Sequence, residues 1–177
     1  MRLDDLLDAA RADAGAAARE STRWLERQAH ESATFLGTLL DLAEHGHVVS
    51  LACAGGRRID GAIRALGRDV VVVHDRTGDS VVVAIGAIAL VRPAPDARTV
   101  AASSDRVPAL DAGFGELLGR LVGERPEVAL SLVTGDVVTG DLVAVGDDVL
   151  TVRLAAADGG LVYVSTSSVA SARLRSG

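Results

Sequence analysis

The sequence predicts an α+β protein, mainly β, in which an N-terminal helix is followed by two tandem five-stranded antiparallel barrels, each preceded by a short helix. Three observations lead to this prediction. Residues 56–73 recur at residues 135–152, with three glycines and an aspartate at matching positions. Short segments of alternating apolar and polar residues follow one another through tight turns, as in small all-β folds. Residues 2–30, in contrast, have the composition of a helix.

Composition and charge narrow the range of functions. Of the 177 residues, 49% are hydrophobic and 2% aromatic, so the core must consist of Val, Leu, Ile and Ala. The net charge of −6 argues against bulk attraction to nucleic acid or to an anionic membrane. No apolar run reaches the roughly 18 residues of a membrane span, and we do not expect the acidic N-terminal segment to act as a secretory signal. The single cysteine fits a reducing compartment, so we expect a cytoplasmic protein.

Residues 1–32 predict a long N-terminal helix. They contain no Pro and are rich in Ala, Leu, Arg, Asp and Glu. A narrow seam of mostly small residues, including Ala10, Ala14 and Ala17, runs along one face of this helix. We expect the seam to pack either on the protein's own barrels or on the same helix of a second chain, as a coiled coil.

The first repeat spans residues 33–93. A short helix is predicted at residues 33–44, with Gly46 as its stop. Alternating apolar and polar residues then predict five strands. These lie near residues 48–53, 58–65, 70–73, 80–85 and 88–92. Five short strands without helices between them predict a barrel, because closure removes the exposed edges of a sheet.

The second repeat spans residues 114–177 and follows a linker at residues 94–113, which lacks any periodicity. At an offset of 79, residues 35–73 match residues 114–152 at twelve of 39 positions. After a two-residue insertion near residues 155–157 the offset becomes 81, and Arg92 then matches Arg173. Self-similarity at a fixed offset indicates a duplicated domain.

The pattern of each repeat resembles the Sm-like family, which includes Sm, Lsm and Hfq proteins. Residues 56–73 resemble its first motif: a Gly turn, a strand with a central Gly, and an Asp before an apolar strand. Residues 81–93 resemble the second motif, a strand, a one-turn corner and a short final strand. The likeness covers about residues 33–93 and 112–175 and implies SH3-like barrels.

The resemblance also implies assembly, because Sm-like proteins pair their outer strands with neighbours to form rings. The residues expected at these pairing edges are Val81, Val82 and Val83 in the first repeat and Leu161, Val162 and Tyr163 in the second. Either the two barrels pair with each other, or three chains form a ring of six barrels.

RNA binding is the alternative that the resemblance suggests. The family holds a base with an Asn after the Asp of the first motif, but this chain contains no Asn, so we expect the usual RNA pocket to be absent. One face of the first barrel is the other candidate for phosphate contacts. Its arginines are Arg57, Arg58, Arg64 and Arg68. The second repeat has Asp136, Val137, Val143 and Asp147 there, which favours an ordinary solvated surface.

The sequence shows no catalytic, metal or cofactor signature. Cys53 aligns with Leu132 and alternates with apolar residues, so we expect a buried side chain and not a nucleophile. His45 and His47 suit the C-terminal end of a helix and have no counterpart in the second repeat, so we expect no metal site. We therefore expect a non-catalytic module for protein assembly, whose partner is a second copy of itself or another protein, and no membrane partner.

Overall fold

The structure is a computed structural model that describes residues 34–94, 109–155 and 159–175. This part of the chain is mainly β. The first repeat contains helix α1 (Phe35–Glu44) and strands β1 (Val48–Cys53), β2 (Arg58–Leu66), β3 (Val70–Asp75), β4 (Ser80–Ala84) and β5 (Ile88–Pro93). The second repeat contains helix α2 (Phe114–Leu121) and strands β6 (Glu127–Leu132), β7 (Val137–Val145), β8 (Val149–Leu154), β9 (Leu161–Ser165) and β10 (Val169–Leu174).

Local sequence explains the strands well. In β2, Ile59 and Ile63 are buried, whereas Arg58 and Arg64 are exposed, as strand alternation requires. The glycine in the middle of this strand has a packing reason: a Cβ atom on Gly61 would lie 2.1 Å from the carbonyl oxygen of His74 on β3. Its counterpart Gly140 has the same restriction, with the carbonyl oxygen of Arg153 at 1.9 Å. The recurring glycines therefore allow neighbouring strands to approach closely.

All ten strands form one antiparallel sheet. Its strand order is β5-β1-β2-β3-β4-β10-β6-β7-β8-β9. Each repeat contributes its five strands in the same internal order, and the two sets meet where β4 pairs with β10. At this junction Val82 lies opposite Ala172, and Ser80 lies opposite Leu174. Within the described part of the chain, β5 and β9 are the two outer strands of the sheet.

The buried apolar side chains form two clusters. One is built from residues of the first repeat, such as Leu39, Leu51 and Val73. The other is centred on the second repeat but includes Val70 and Val82 of the first repeat. The second core is therefore completed by side chains that come from across the junction.

The prediction of two tandem five-stranded barrels is wrong. The structure is one ten-stranded sheet in which β4 pairs with β10 of the other repeat. The physical reason is that the unpaired backbone groups of β4 are satisfied by the other repeat, and Val82 is buried in the same contact. The helix predicted for residues 1–32, and most of the predicted linker, lie outside the described residues. The short helix at the start of each repeat lies where it was predicted, and the positions of the strands agree with the alternation of apolar and polar residues.

Among the described helices, neither is long and apolar enough to cross a membrane.

Candidate interaction site at the junction and the outer strands

The backbone contact between the repeats is a regular antiparallel ladder. The amide of Asp75 donates to the carbonyl of Asp79 (3.0 Å) and the amide of Ile85 to that of Asp69 (2.8 Å), so odd-numbered residues of β4 bond to β3. The even-numbered residues, Val82 among them, therefore direct their backbone groups toward β10. On β10 the amide of Arg175 donates to the carbonyl of Glu127 on β6 (3.2 Å), so odd-numbered residues of β10 bond to β6. The backbone groups of Ala172 and Leu174 therefore point toward β4.

Apolar side chains seal the junction. Val82 is fully buried and belongs to the same cluster as Phe114 and Leu118 of α2. Phe114 is only 3% exposed, whereas its repeat equivalent Phe35 is 40% exposed. Residues of the first repeat therefore help to bury the apolar face of α2.

An ion cluster joins β10 to the turn between β3 and β4. The guanidinium of Arg173 contacts the Asp75 carboxylate directly and donates to Oδ2 of Asp79 at 3.1 Å. Thr77 donates to Oδ1 of Asp75 through its amide (2.9 Å) and its hydroxyl (2.6 Å). Burial would raise the pKa of Asp75, but the hydrogen bonds from Thr77 and Arg173 outweigh it and lower this pKa to about 2.

A second set of polar contacts joins the β2–β3 turn to the start of α2. The Phe114 amide donates to Oδ1 of Asp69 at 2.7 Å, so a carboxylate from the first repeat caps a helix of the second. Gly113, which precedes the helix, has no side chain for this task. Arg68 forms an ion pair with Glu116. The Arg68 hydrogen bond is the main cause that lowers the pKa of the Glu116 carboxyl, followed by one from the Gly113 amide.

Two glycine turns form a third contact. A Cβ atom on Gly55, in the β1–β2 turn, would lie 2.4 Å from the carbonyl oxygen of Leu132 and 3.0 Å from the amide nitrogen of Gly135. The repeat equivalent of Gly55 is Thr134, which carries a side chain. This close approach is therefore specific to the junction inside the chain.

The outer strand β9 presents an unpaired edge among the described residues. The amide of Thr166 donates to Asp148 (2.8 Å) and that of Leu154 to Gly160 (2.9 Å), so Leu161, Tyr163 and Ser165 direct their backbone groups away from β8. The side chains of Leu161 and Tyr163 are 46% and 69% exposed. In the repeat, Tyr163 corresponds to the fully buried Val82, so the residue that seals the junction in one repeat faces outward in the other.

The outer strand β5 presents the second edge. The amide of Ala94 donates to Val48 (2.8 Å), and the ladder alternation then directs the backbone groups of Val91 and Pro93 away from β1. Pro93 offers only its carbonyl. Leu90 is 44% exposed and Arg92 is also exposed. β5 carries a charge and a proline at its end, so strand addition here would be selective for a partner that neutralises the charge and does not need the missing amide.

The structure places the predicted edge residues in two different settings. Val81, Val82 and Val83 are buried between β3 and β10, inside the sheet. The residues Leu161, Val162 and Tyr163 lie on an outer strand of the sheet.

The four arginines of the alternative site do not converge. Arg68 is engaged by Glu116 across the junction. Arg58 and Arg64 are both exposed on β2 but six residues apart, or about 20 Å at the rise of a strand. Arg57 is exposed in the turn that precedes β2.

The remaining reactive side chains are dispersed. Cys53 is buried, and burial raises the pKa of its thiol. His45 and His47 stack with ring centroids 6.0 Å apart. Within residues 34–94, 109–155 and 159–175, no three His, Cys, Asp or Glu side chains are arranged to hold a metal ion.

Sequence reasoning missed the polar residues that join the repeats. The recurrence of Arg92 as Arg173 was the available signal, but the acidic partners Asp75 and Asp79 lie more than 90 positions away from Arg173 in the chain. Asp69 recurs as Asp148, but within the described residues only Asp69 accepts a hydrogen bond from the backbone amide of a helix, that of Phe114. A tertiary contact of this kind leaves no periodic pattern.

Comparisons with known proteins identify no relative. No family model, curated protein or solved structure matches this chain. The resemblance to the Sm-like family stays a prediction, and the case for function rests on the geometry of the sheet and its two edges.

Proposed function

We propose that this chain is a non-catalytic assembly module that binds other protein chains, second copies of itself included, by adding a strand to its outer strand β9. The observation that carries the proposal is the junction inside the chain. There β4, the repeat equivalent of β9, already pairs with a strand from another repeat. Strand addition to an exposed sheet edge is a common mode of protein recognition.

The character of β9 supports this proposal. Its five residues, LVYVS, include no charge and no proline, the devices that commonly block unwanted pairing at an edge. Leu161, Tyr163 and Ser165 offer outward backbone amides and carbonyls, and these supply affinity for any extended strand.

The exposed side chains add an apolar contribution. A tyrosine buries on the order of 150–250 Å² when fully covered. At roughly 25 cal/mol per Å², covering the exposed parts of Tyr163 and Leu161 gives a favourable hydrophobic term of a few kcal/mol, which is partly offset by the entropy lost on association. This contribution favours an occupant that also covers the face of the strand, as Phe114 and Leu118 cover Val82 at the junction.

RNA binding is less well supported. Arg68 is held by Glu116, and Arg58 and Arg64 are too far apart on β2 to grip one phosphate together. A salt-sensitive affinity for single-stranded RNA that is lost on Arg58→Ala with Arg64→Ala would favour that alternative.

Two measurements on the full chain test the assembly proposal. A labelled peptide with the sequence of residues 169–175, which copies β10, should bind the protein, as read by fluorescence anisotropy. Light scattering over a concentration series should show self-association wherever the occupant is a second copy. Tyr163→Pro removes an outward amide without breaking the ladder to β8, so it should abolish both signals. The control Tyr163→Phe, which keeps the edge, should retain them.

The proposal fails if the wild-type protein stays monomeric at millimolar concentration and also ignores the peptide. It fails equally if Tyr163→Pro behaves like the wild type while its circular dichroism spectrum shows an unchanged fold.

A further inference from the structure

The two repeats differ in the surroundings of one recurring arginine. Arg173 on β10 is held by Asp75 and Asp79, the two carboxylates of the turn that precedes β4. Arg92 on β5 is its repeat equivalent and is exposed. No carboxylate of the described residues lies within ion-pair distance of Arg92. This side chain therefore has the position of Arg173 without its acidic partners.

The backbone around Arg92 matches that around Arg173. On β10, Ala172 and Leu174 direct their backbone groups toward β4. Their equivalents on β5 are Val91 and Pro93, and both direct their backbone groups away from β1. The outer edge of β5 therefore presents the same arrangement as the β10 side of the junction, with one amide fewer because of the proline.

Among the described strands, a second copy of this chain offers no free strand that would bring the two missing carboxylates. Its β4, the strand that follows the acidic turn, is already paired with β10. Its outer strand β9 is not preceded by the equivalent acidic pair: Leu154 and Gly160 stand where the first repeat has Asp75 and Asp79. Between these two positions the sequence has one acidic residue, Asp158. Within the described part of the chain, no free strand can give Arg92 the two acidic partners that Arg173 has, so we expect this strand in another polypeptide.

We propose that the outer edge of β5, with Arg92, binds a strand of another protein that is preceded by a turn carrying two carboxylates about four residues apart. The backbone of the bound strand forms hydrogen bonds with Val91 and Pro93. The two carboxylates of its turn form ion pairs with the guanidinium of Arg92, in the way that Asp75 and Asp79 pair with Arg173. The charge of the first repeat is complementary to such a partner, because residues 48–93 hold six arginines and four aspartates. This inference rests on the strand-addition mode of the proposed function and assigns the second edge its partner.

The chain itself provides the probe. A labelled peptide with the sequence of residues 75–84, DRTGDSVVVA, carries the acidic turn and the complete β4 strand. The control peptide has Asp75→Asn and Asp79→Asn. Binding of each peptide is measured by fluorescence anisotropy to the wild-type protein, to Arg92→Ala and to Arg58→Ala. Arg58 is a matched control because it is exposed and lies two strands from the edge.

The wild type should bind the acidic peptide about tenfold more tightly than the control peptide, since charge-assisted hydrogen bonds distinguish the two. Arg92→Ala should lose this preference, and Arg58→Ala should keep it. If both peptides bind equally well and Val91→Pro abolishes their binding, strand addition at β5 is supported but the preference for an acidic turn is overturned. A loss of preference in Arg58→Ala as large as in Arg92→Ala also overturns it. Failure of both peptides to bind overturns the inference alone, since the peptide of residues 169–175 tests strand addition at β9 separately.

Discussion

At the scale of the residue, Asp75 joins two parts of the sheet that are distant in sequence. Its side chain is 10% exposed, and its carboxylate accepts hydrogen bonds from Thr77 and Arg173. Arg173 belongs to β10, so the interaction crosses the junction. A buried carboxylate is stable as an anion only when such partners compensate its lost hydration.

The stability of the junction should therefore fall in acid. The pKa of Asp75 is about 2 in the folded protein, against an ordinary value of 3.8. Because the folded pKa is the lower one, the contribution of Asp75 is complete above about pH 4 and is lost as the pH falls toward 2. We expect the free energy of unfolding, from urea titrations at several pH values, to decrease across this window.

Variants isolate the role of Asp75. Asp75→Asn should lower the free energy of unfolding at pH 7 by about 1–3 kcal/mol, because Arg173 loses a charged partner, and should flatten the decrease below pH 4. Asp60→Asn, an exposed aspartate of β2, serves as the control and should change neither quantity. An Asp75→Asn protein that retains the wild-type acid profile would refute this role.

At the scale of the element, α2 depends on the other repeat for its N-terminal cap. The helix begins after Gly113, which has no side chain to accept a hydrogen bond from the first turn. Asp69 accepts the Phe114 amide instead, and Glu116 accepts that of Gly113 at 3.1 Å. In α1 the cap is local, because Oγ1 of Thr34 accepts the Gly37 amide at 3.0 Å.

Removal of this cap should destabilise the protein. Asp69→Ala should lower the free energy of unfolding by about 0.5–2 kcal/mol, the usual cost of losing an N-cap side chain. The matched control is Asp148→Ala, the repeat equivalent, which should change it by less than about 0.5 kcal/mol. Thermal and urea unfolding followed by circular dichroism provide the measurement. Equal effects of the two substitutions would show that Asp69 does not act through the helix.

The elements themselves were predictable from local patterns. Alternation in β2 and the valine-rich runs of β3 and β4 locate these strands, since side chains of a strand point to opposite faces in turn. The recurrence of Gly61 as Gly140 indicated a shared backbone restriction, and the adjacent carbonyl oxygens explain it. Local patterns do not reveal which strand forms an edge, because pairing partners are chosen by contacts that are remote in sequence.

At the scale of the whole molecule, the described sheet is continuous and its second core is shared between repeats. Val70 and Val82 come from the first repeat, whereas the rest of that cluster, including Phe114 and Leu118, comes from the second. When side chains of one repeat pack in the core of the next, the stabilities of the two repeats are coupled.

This coupling should make the two repeats unfold together. Val82→Ala removes buried apolar volume at the junction and should lower the free energy of unfolding by about 2 kcal/mol. It should shift one common transition, seen in urea titrations by circular dichroism and by hydrogen exchange in both repeats. The matched control is Tyr163→Ala, whose side chain is mainly exposed and should matter little to stability. Two separate transitions, only one of them shifted by Val82→Ala, would contradict the shared core.

The sequence alone determined that one pattern of residues occurs twice, and where the described helices and strands of each repeat lie. These properties follow from local alternation and from recurrence at a fixed offset, which are readable along the chain. Only the tertiary structure decided that the copies merge into one sheet, with β4 paired to β10 and with β5 and β9 left as the outer strands. That decision depends on backbone groups of β4 that need a partner, and on Asp69, Asp75 and Arg173, whose side chains form contacts across the junction.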